Sequence, residues 1–213
     1  MIRNAGRKGV KAVQGFITTR KKRLVRLKHD RFDDFIFIHI NKTGGSSVEK
    51  ALNIPFEHKT AREKIEALGR ETWDRKFTFT VIRNPWDKVV SHYHYRVKTN
   101  QTGLKGDDLD FNEWVVRAYG RQEPPYYDKP KMFMPQTDWI VDASGEIAVD
   151  DIIRFENLEE GFARVLAVLG KQASLPHAKK SNRGDYQGYY NDEARAVVAE
   201  RFAQDVERFG YRF

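Results

Sequence analysis

Residues 39–47, His-Ile-Asn-Lys-Thr-Gly-Gly-Ser-Ser, set a lysine, two adjacent glycines and three hydroxyl side chains directly after an apolar run. A strand that turns through glycines into a helix gathers backbone N–H groups and the positive end of the helix around a small volume, which makes a site for an anion. Lys42 would add a mobile cation, and Thr43, Ser46 and Ser47 hydroxyl donors, with Gly44 and Gly45 shaping the turn. The same residues would also serve a plain tight turn. They do not make a Walker A loop, because Lys42 precedes the glycines and no glycine stands five residues before it.

A second segment, Val-Ile-Arg-Asn-Pro-Trp-Asp-Lys-Val-Val-Ser-His-Tyr-His-Tyr at 81–95, places Arg83 where another apolar run is broken by Pro85. The carboxyl ends of strands are where α/β sheets bind ligands, and an arginine there offers a planar fork to a phosphate. Ser91 lies two helical turns further on and would face back toward Arg83. The plainer alternative pairs Arg83 with a carboxylate and leaves Ser91 as a packing residue. Together the two segments suit one nucleotide with phosphates at two positions, or two separate anions.

Six histidines compete as a base. His39 belongs to an apolar run and is expected to be packed. His58 sits in the connection after the first helix, and an ordinary surface histidine is its plain alternative. His92 and His94 are two apart on a helix, so at most one faces a cleft, and no third ligand suggests a metal. His177 precedes the Lys179-Lys180-Ser181-Asn182-Arg183 run, and His29 lies in a basic terminal segment.

The elements that must position these groups are legible in the apolar pattern. Residues 35–40 (FIFIHI) and 77–82 (FTFTVI) read as buried strands, rich in aromatic and β-branched side chains. Ser46 or Ser47 would cap a helix through Leu52. Thr60 and Glu63 form a capping box for a helix over 60–69. Helical spacing resumes over 87–97 and again over 111–119. Residues 121–135 carry four prolines and read as irregular. Asp142–Gly145 reads as a hairpin or tight turn, 156–169 as an amphipathic helix ended by Gly170, and 192–209 as one long helix. Two strand–loop–helix units around a connecting helix predict a single α/β domain over 31–213, with a central, mostly parallel sheet flanked by helices.

At 213 residues the chain can bury one real core, and 40% hydrophobic against 32% charged residues is the balance of a globular protein. The absence of cysteine excludes disulfides and thiolate chemistry and fits a reducing compartment, so a cytoplasmic protein is expected. No apolar stretch is long enough to span a bilayer. Residues 1–30 are basic and read as helical, without the apolar core of a signal peptide. A solvated helix is the plain reading, and weak peripheral contact with an anionic membrane the alternative. The net charge of +8 favours an anionic partner, but no nucleic-acid-binding signature accompanies it.

The chain resembles the sulfotransferase superfamily, closest to bacterial relatives of the Golgi-type carbohydrate sulfotransferases. The resemblance rests on Asn41–Ser47, on Arg83-Asn84-Pro85 with Ser91, on Trp139, Asp151–Leu158 and Ser181-Asn182-Arg183, and on Phe209-Gly210-Tyr211, roughly residues 33–211. It implies a P-loop-like loop that holds the 5′-phosphosulfate of 3′-phosphoadenosine 5′-phosphosulfate (PAPS), and transfer of its sulfuryl group to a hydroxyl acceptor, by preference on a carbohydrate. It further implies that Lys42 touches the bridging or sulfuryl oxygens and that Thr43, Gly44, Gly45, Ser46 and Ser47 hold the 5′ end. Arg83 and Ser91 would hold the 3′-phosphate, Arg183 would close over the nucleotide, and His58 would be the base, with no metal expected. The rival is a P-loop-like kinase, which needs an acidic magnesium ligand where the second strand instead ends in Arg83. A basic nucleic-acid-binding protein is the more distant alternative.

Overall fold

The computed structural model describes Val25 and residues 28–106, 109–176 and 185–213, so most of the basic terminal segment, His177 and the Ser181-Asn182-Arg183 loop lie outside the described residues. Three strands form one sheet in the order β1 (Phe35–Ile38), β2 (Phe77–Ile82), β3 (Asp151–Arg154). Both pairings are parallel, with Phe35 opposite Phe77 and Phe79 opposite Asp151. Parallel neighbours cannot be joined by a hairpin, so helices must cross over between them. The first crossover carries α1 (Gly45–Leu52), α2 (Ala61–Leu68) and α3 (Arg70–Asp74). The second carries α4 (Pro85–Lys98), α5 (Phe111–Val115) and α6 (Thr137–Ile140). After β3 come α7 (Leu158–Leu169), α8 (Asp192–Arg201) and α9 (Ala203–Phe209).

The period-two alternation of strand side chains sorts the core into layers. Phe35, Phe37, Phe79, Val81 and Ile153 face α1 and α7 through Val48, Phe162 and Val165. Ile36, Ile38 and Ile82 face the other way, toward Ala61, Trp73, Trp139 and Phe209. A third cluster is helical and aromatic, joining Trp86, Val89 and Val90 of α4 to Trp114, Tyr119, Phe133 and Phe202.

Local chemistry explains most of the boundaries. Thr60 Oγ1 accepts from the Glu63 N–H while the Glu63 carboxylate accepts from the Thr60 N–H, the capping box read in the sequence. Pro85 occupies the first turn of α4, where its missing donor costs nothing, and Asn84 caps that helix through the Trp86 N–H. The helix therefore starts two residues earlier than its periodicity suggested.

Other expectations shift. β1 ends at Ile38, leaving His39 and Ile40 outside the ladder. α1 begins at Gly45, with Gly44 at φ 88° as its N-cap and no side-chain cap, so neither Ser46 nor Ser47 caps it. The 111–119 helix changes to a π-turn from Val116 to Gly120. Asp142–Gly145 is a tight turn closed by a single antiparallel bridge between Val141 and Ile147, and the residues before it are helical. The long final helix is two helices broken at Phe202. Among the described residues no helix is long and apolar enough to cross a membrane.

Helix and sheet approach one another closely at Gly161, where a Cβ would stand 2.5 Å from Cγ2 of Ile153 on β3. Both residues are locked in the core, so Gly161→Ala should lower stability by about 1–3 kcal/mol. Urea unfolding should show a lower midpoint with an unchanged slope. A loss within the scatter of surface substitutions would mean that α7 slides freely on β3.

Candidate active site

The two segments singled out in the sequence leave adjacent parallel strands at the same edge of the sheet, because parallel strands present their carboxyl ends together. They also touch: Arg83 Nη1 donates to the Lys42 carbonyl at 3.1 Å. Phe155, just past β3, completes the junction. The Arg83 guanidinium lies over its ring at 4.1 Å, and a Cβ on Gly44 would stand 3.0 Å from two of its ring carbons.

The first loop is built tightly. Lys42 holds φ 67° and Gly44 φ 88°, and the left-handed region is uncommon for a side-chain-bearing residue such as lysine. Thr43 is fully buried and its hydroxyl donates to the Ile40 carbonyl, so it staples the turn from inside. Ser46 is exposed and Ser47 half-buried. Gly45 is required by contact, since a Cβ there would fall 2.1 Å from the His39 ring. Lys42 Nζ rests 4.1 Å from the centroid of the Tyr95 ring, a cation–π contact with a side chain that is 45% exposed.

Arg83 is buried and paired: its Nε and Nη2 reach Asp87 Oδ2 at 2.7 and 2.6 Å. Ser91, four residues beyond Asp87, shares that face of α4 and is half-buried. The next residue of the segment is held as firmly. The Asn84 N–H donates to Glu156 at 2.6 Å, and its side-chain amide donates to Tyr186 Oη and to the Arg212 carbonyl.

His39 is packed, as expected, and its Nδ1 donates to Glu49 Oε1 at 2.8 Å. His58 stands beside it with ring centroids 4.5 Å apart, and its own Nδ1 donates to the His39 carbonyl at 2.8 Å. A ring that gives its Nδ1 proton to a carbonyl keeps a lone pair on Nε2. Burial lowers the His58 pKa below 6.5, with the neighbouring His39 and Lys131 pushing the same way and the His39 carbonyl opposing. His58 is therefore a neutral imidazole ready to accept a proton near neutral pH. Glu57, next to it, is anchored from both sides: its N–H reaches Glu49, and its carboxylate pairs with buried Lys64 at 2.5 Å.

His92 and His94 do diverge. His94 is exposed, whereas His92 is buried and receives the Tyr119 hydroxyl at 2.8 Å. Burial holds its pKa well below the ordinary value, reinforced by the Lys88 and Arg96 charges.

A model of the sulfotransferase family matches residues 25–212. The chain belongs to the sulfotransferase family. This sulfotransferase is 31% identical to an uncharacterized protein of Archaeoglobus fulgidus over 110 residues, 51% of this chain and 79% of the other. Its fold matches that of the mouse sulfotransferase SULT7A1, solved in complex with PAP, with a TM-score of 0.54 at 11% identity over 86% of this chain and 89% of that one. A sulfotransferase from Alicyclobacillus acidocaldarius gives a TM-score of 0.43 at 17% identity, over 85% and 97% of the two chains.

Sequence reasoning missed the carboxylates of this site. Asp87 was readable as the i+4 partner of Arg83. Glu49 and Asp205 gave no signal, since each is an acidic residue on a helix whose burial only the tertiary structure sets, and Glu156 was read only as part of the Asp151–Leu158 stretch.

One buried cation stands apart from these pairs. Lys88, four residues before His92 on α4, is fully buried, and its Nζ has no hydrogen-bond partner among the described residues. Burial lowers its pKa from 10.5 to about 8, helped by Arg83, Lys42 and Arg201 and opposed by Asp205. The amine is charged in both folded and unfolded chains below pH 8, so the penalty, roughly 3 kcal/mol, is fully present there. It fades as pH rises through 8 toward 10.5, because the folded amine is then neutral while the unfolded one still binds a proton. Lys88→Met should therefore stabilise the protein at pH 7, and its advantage over the parent should shrink by pH 9.5. Denaturant titrations at the two pH values test this; a destabilised variant, or a constant difference, would show that Lys88 is paired.

Proposed function

We propose that this sulfotransferase moves a sulfuryl group from PAPS to a hydroxyl acceptor, with a carbohydrate as the expected acceptor class. The observation that carries this reading is the hydrogen bond from Arg83 to the Lys42 carbonyl, which joins two anion-binding segments into one site. A donor with phosphate groups at both ends of one nucleoside asks for such a pair of segments. The groups available suit its chemistry: N–H donors at the start of α1, the hydroxyls of Ser46 and Ser47, the cation of Lys42 and the planar fork of Arg83. Arg83 and Ser91 would hold the 3′-phosphate, and the loop from Lys42 to Ser47 the 5′ end.

When bound, PAPS supplies the sulfuryl group and departs as PAP. The chain's own work is to bind, to orient and to manage charge. Lys42 Nζ meets the negative charge that grows on the departing phosphate oxygen as the S–O bond breaks. For that it must leave the Tyr95 ring, a contact worth about 0.5–1 kcal/mol at an exposed site. His58 Nε2 takes the acceptor's hydroxyl proton as the new S–O bond forms, its ring aimed by the His39 carbonyl. Asp87 holds the Arg83 side chain extended along α4 until a phosphate competes for it.

Calorimetric titration with PAP, AMP and ATP, with and without Mg²⁺, tests the donor. PAP should bind without metal and more tightly than AMP. Arg83→Ala should weaken PAP about 10- to 100-fold, the equivalent of losing charge-assisted hydrogen bonds worth 1.5–3 kcal/mol. Binding of ATP only, and only with Mg²⁺, would transfer the assignment to a kinase. With a carbohydrate acceptor that supports turnover, kcat/KM should fall on the acid side with an apparent pKa below 6.5. That limb should vanish in a much slower His58→Ala, and a limb that survives it would assign the base elsewhere.

A further inference from the structure

Arg83 is gripped by its main chain as well as by its side chain. The strand ladder ends at Ile82, so the N–H and C=O of Arg83 need partners of their own. The Gln136 side chain supplies both. Its Oε1 accepts from the Arg83 N–H at 2.9 Å, and its Nε2 donates to the Arg83 carbonyl at 2.8 Å.

An amide can span a residue this way only if its two ends are not exchanged, and Asp205 on α9 settles which end is which. Asp205 Oδ2 accepts from Gln136 Nε2 at 3.3 Å and from the Gln136 N–H at 2.8 Å. Its Oδ1 accepts from the N–H and the hydroxyl of Thr137, each at 2.8 Å. A carboxylate cannot donate, so it admits the NH₂ end alone. Gln136 and Asp205 are both fully buried, and the low local dielectric strengthens every one of these bonds. The last helix of the chain is thereby connected, through a single amide, to the residue at the end of the central strand.

We propose that Gln136 and Asp205 are positioning residues that give this enzyme its preference for a 3′-phosphorylated nucleotide. By fixing the main chain of Arg83, they present its guanidinium in one direction, against Phe155 and toward Asp87 and the Lys42 carbonyl. The proposal rests on the reading that Arg83 takes the 3′-phosphate. Neither residue touches the donor, so their effect should appear as discrimination between nucleotides and not as a general loss of binding.

The test compares PAP with AMP, which lacks the 3′-phosphate, by calorimetry on the full chain. The variants are Gln136→Met, which removes both bonds to Arg83 at similar volume, and Asp205→Asn, which keeps the shape and loses one acceptor. Gln136→Met should lower the PAP-to-AMP affinity ratio at least tenfold, with AMP affinity within twofold of the parent. Asp205→Asn should lower the ratio by a smaller factor, and it carries the test alone if Gln136→Met does not unfold cooperatively. A ratio equal to the parent's in a folded variant, or equal losses for PAP and AMP, would overturn the proposal and leave the pair a scaffold. A parent protein with no preference for PAP would instead overturn the donor assignment, and the proposal with it.

Discussion

The site crowds positive charge where two parallel strands end, and the rest of the structure answers that crowding. Lys42, Arg83 and Lys88 lie near enough for the first two to depress the pKa of the third. Cations gathered this way repel one another when no anion is bound, and in a buried setting that repulsion is barely screened. The fold meets it with carboxylates at fixed points. Asp87 takes the side chain of Arg83, Glu156 the main chain of Asn84, and Asp205 the turn at Gln136 and Thr137. Only Asp87 among these faces the cation directly. Glu156 and Asp205 spend their hydrogen bonds on N–H groups and so stiffen the framework, while Asp205 also offsets part of the charge crowding on Lys88.

The two sides of the site differ in how they are made. On the side of Arg83, contacts come from every layer: the loop after β1, the end of β2, Phe155 after β3, and the C-terminal residues from Asp205 to Arg212. On the side of His58 most supports come from the first crossover, the carbonyl of His39, the Glu49 carboxylate and the Lys64–Glu57 pair, with the Trp139 ring of the second crossover edge-on to His58. Phe56 lies edge-on to both His39 and His58, and more than half of its surface is open to solvent.

The sequence disclosed the parts whose signal is short-range. The two apolar runs, the capping box at Thr60, the break at Pro85 and the C-cap at Gly170 all act within a few residues, and each stands where its chemistry put it. Lys42 and Arg83 were singled out by their immediate neighbours in the chain, and His58 by the resemblance. What escaped was set at long range. β3 follows the Asp142–Gly145 turn without a signal of its own, because its four residues alternate poorly and only pairing with β2 defines it. Gln136 lies just past the segment read as irregular and Asp205 in one read as a plain helix, and nothing in either neighbourhood announces a partner fifty or more residues away. Ser46 and Ser47 misled for the opposite reason: good capping residues stood in reach, but the positive φ at Gly44 begins the helix before them.

The strand order carries a consequence for how such an enzyme can change. Arg83 grows from β2, the strand that is paired on both edges within the sheet. A substitution that moved the main chain of Arg83 would have to displace a ladder anchored left and right. The connection carrying Phe56 and His58, by contrast, is a loop between two helices, outside the ladder and held through side-chain contacts. Sequence change is therefore absorbed more easily in this loop than at the end of β2, where any shift must pass through the whole ladder.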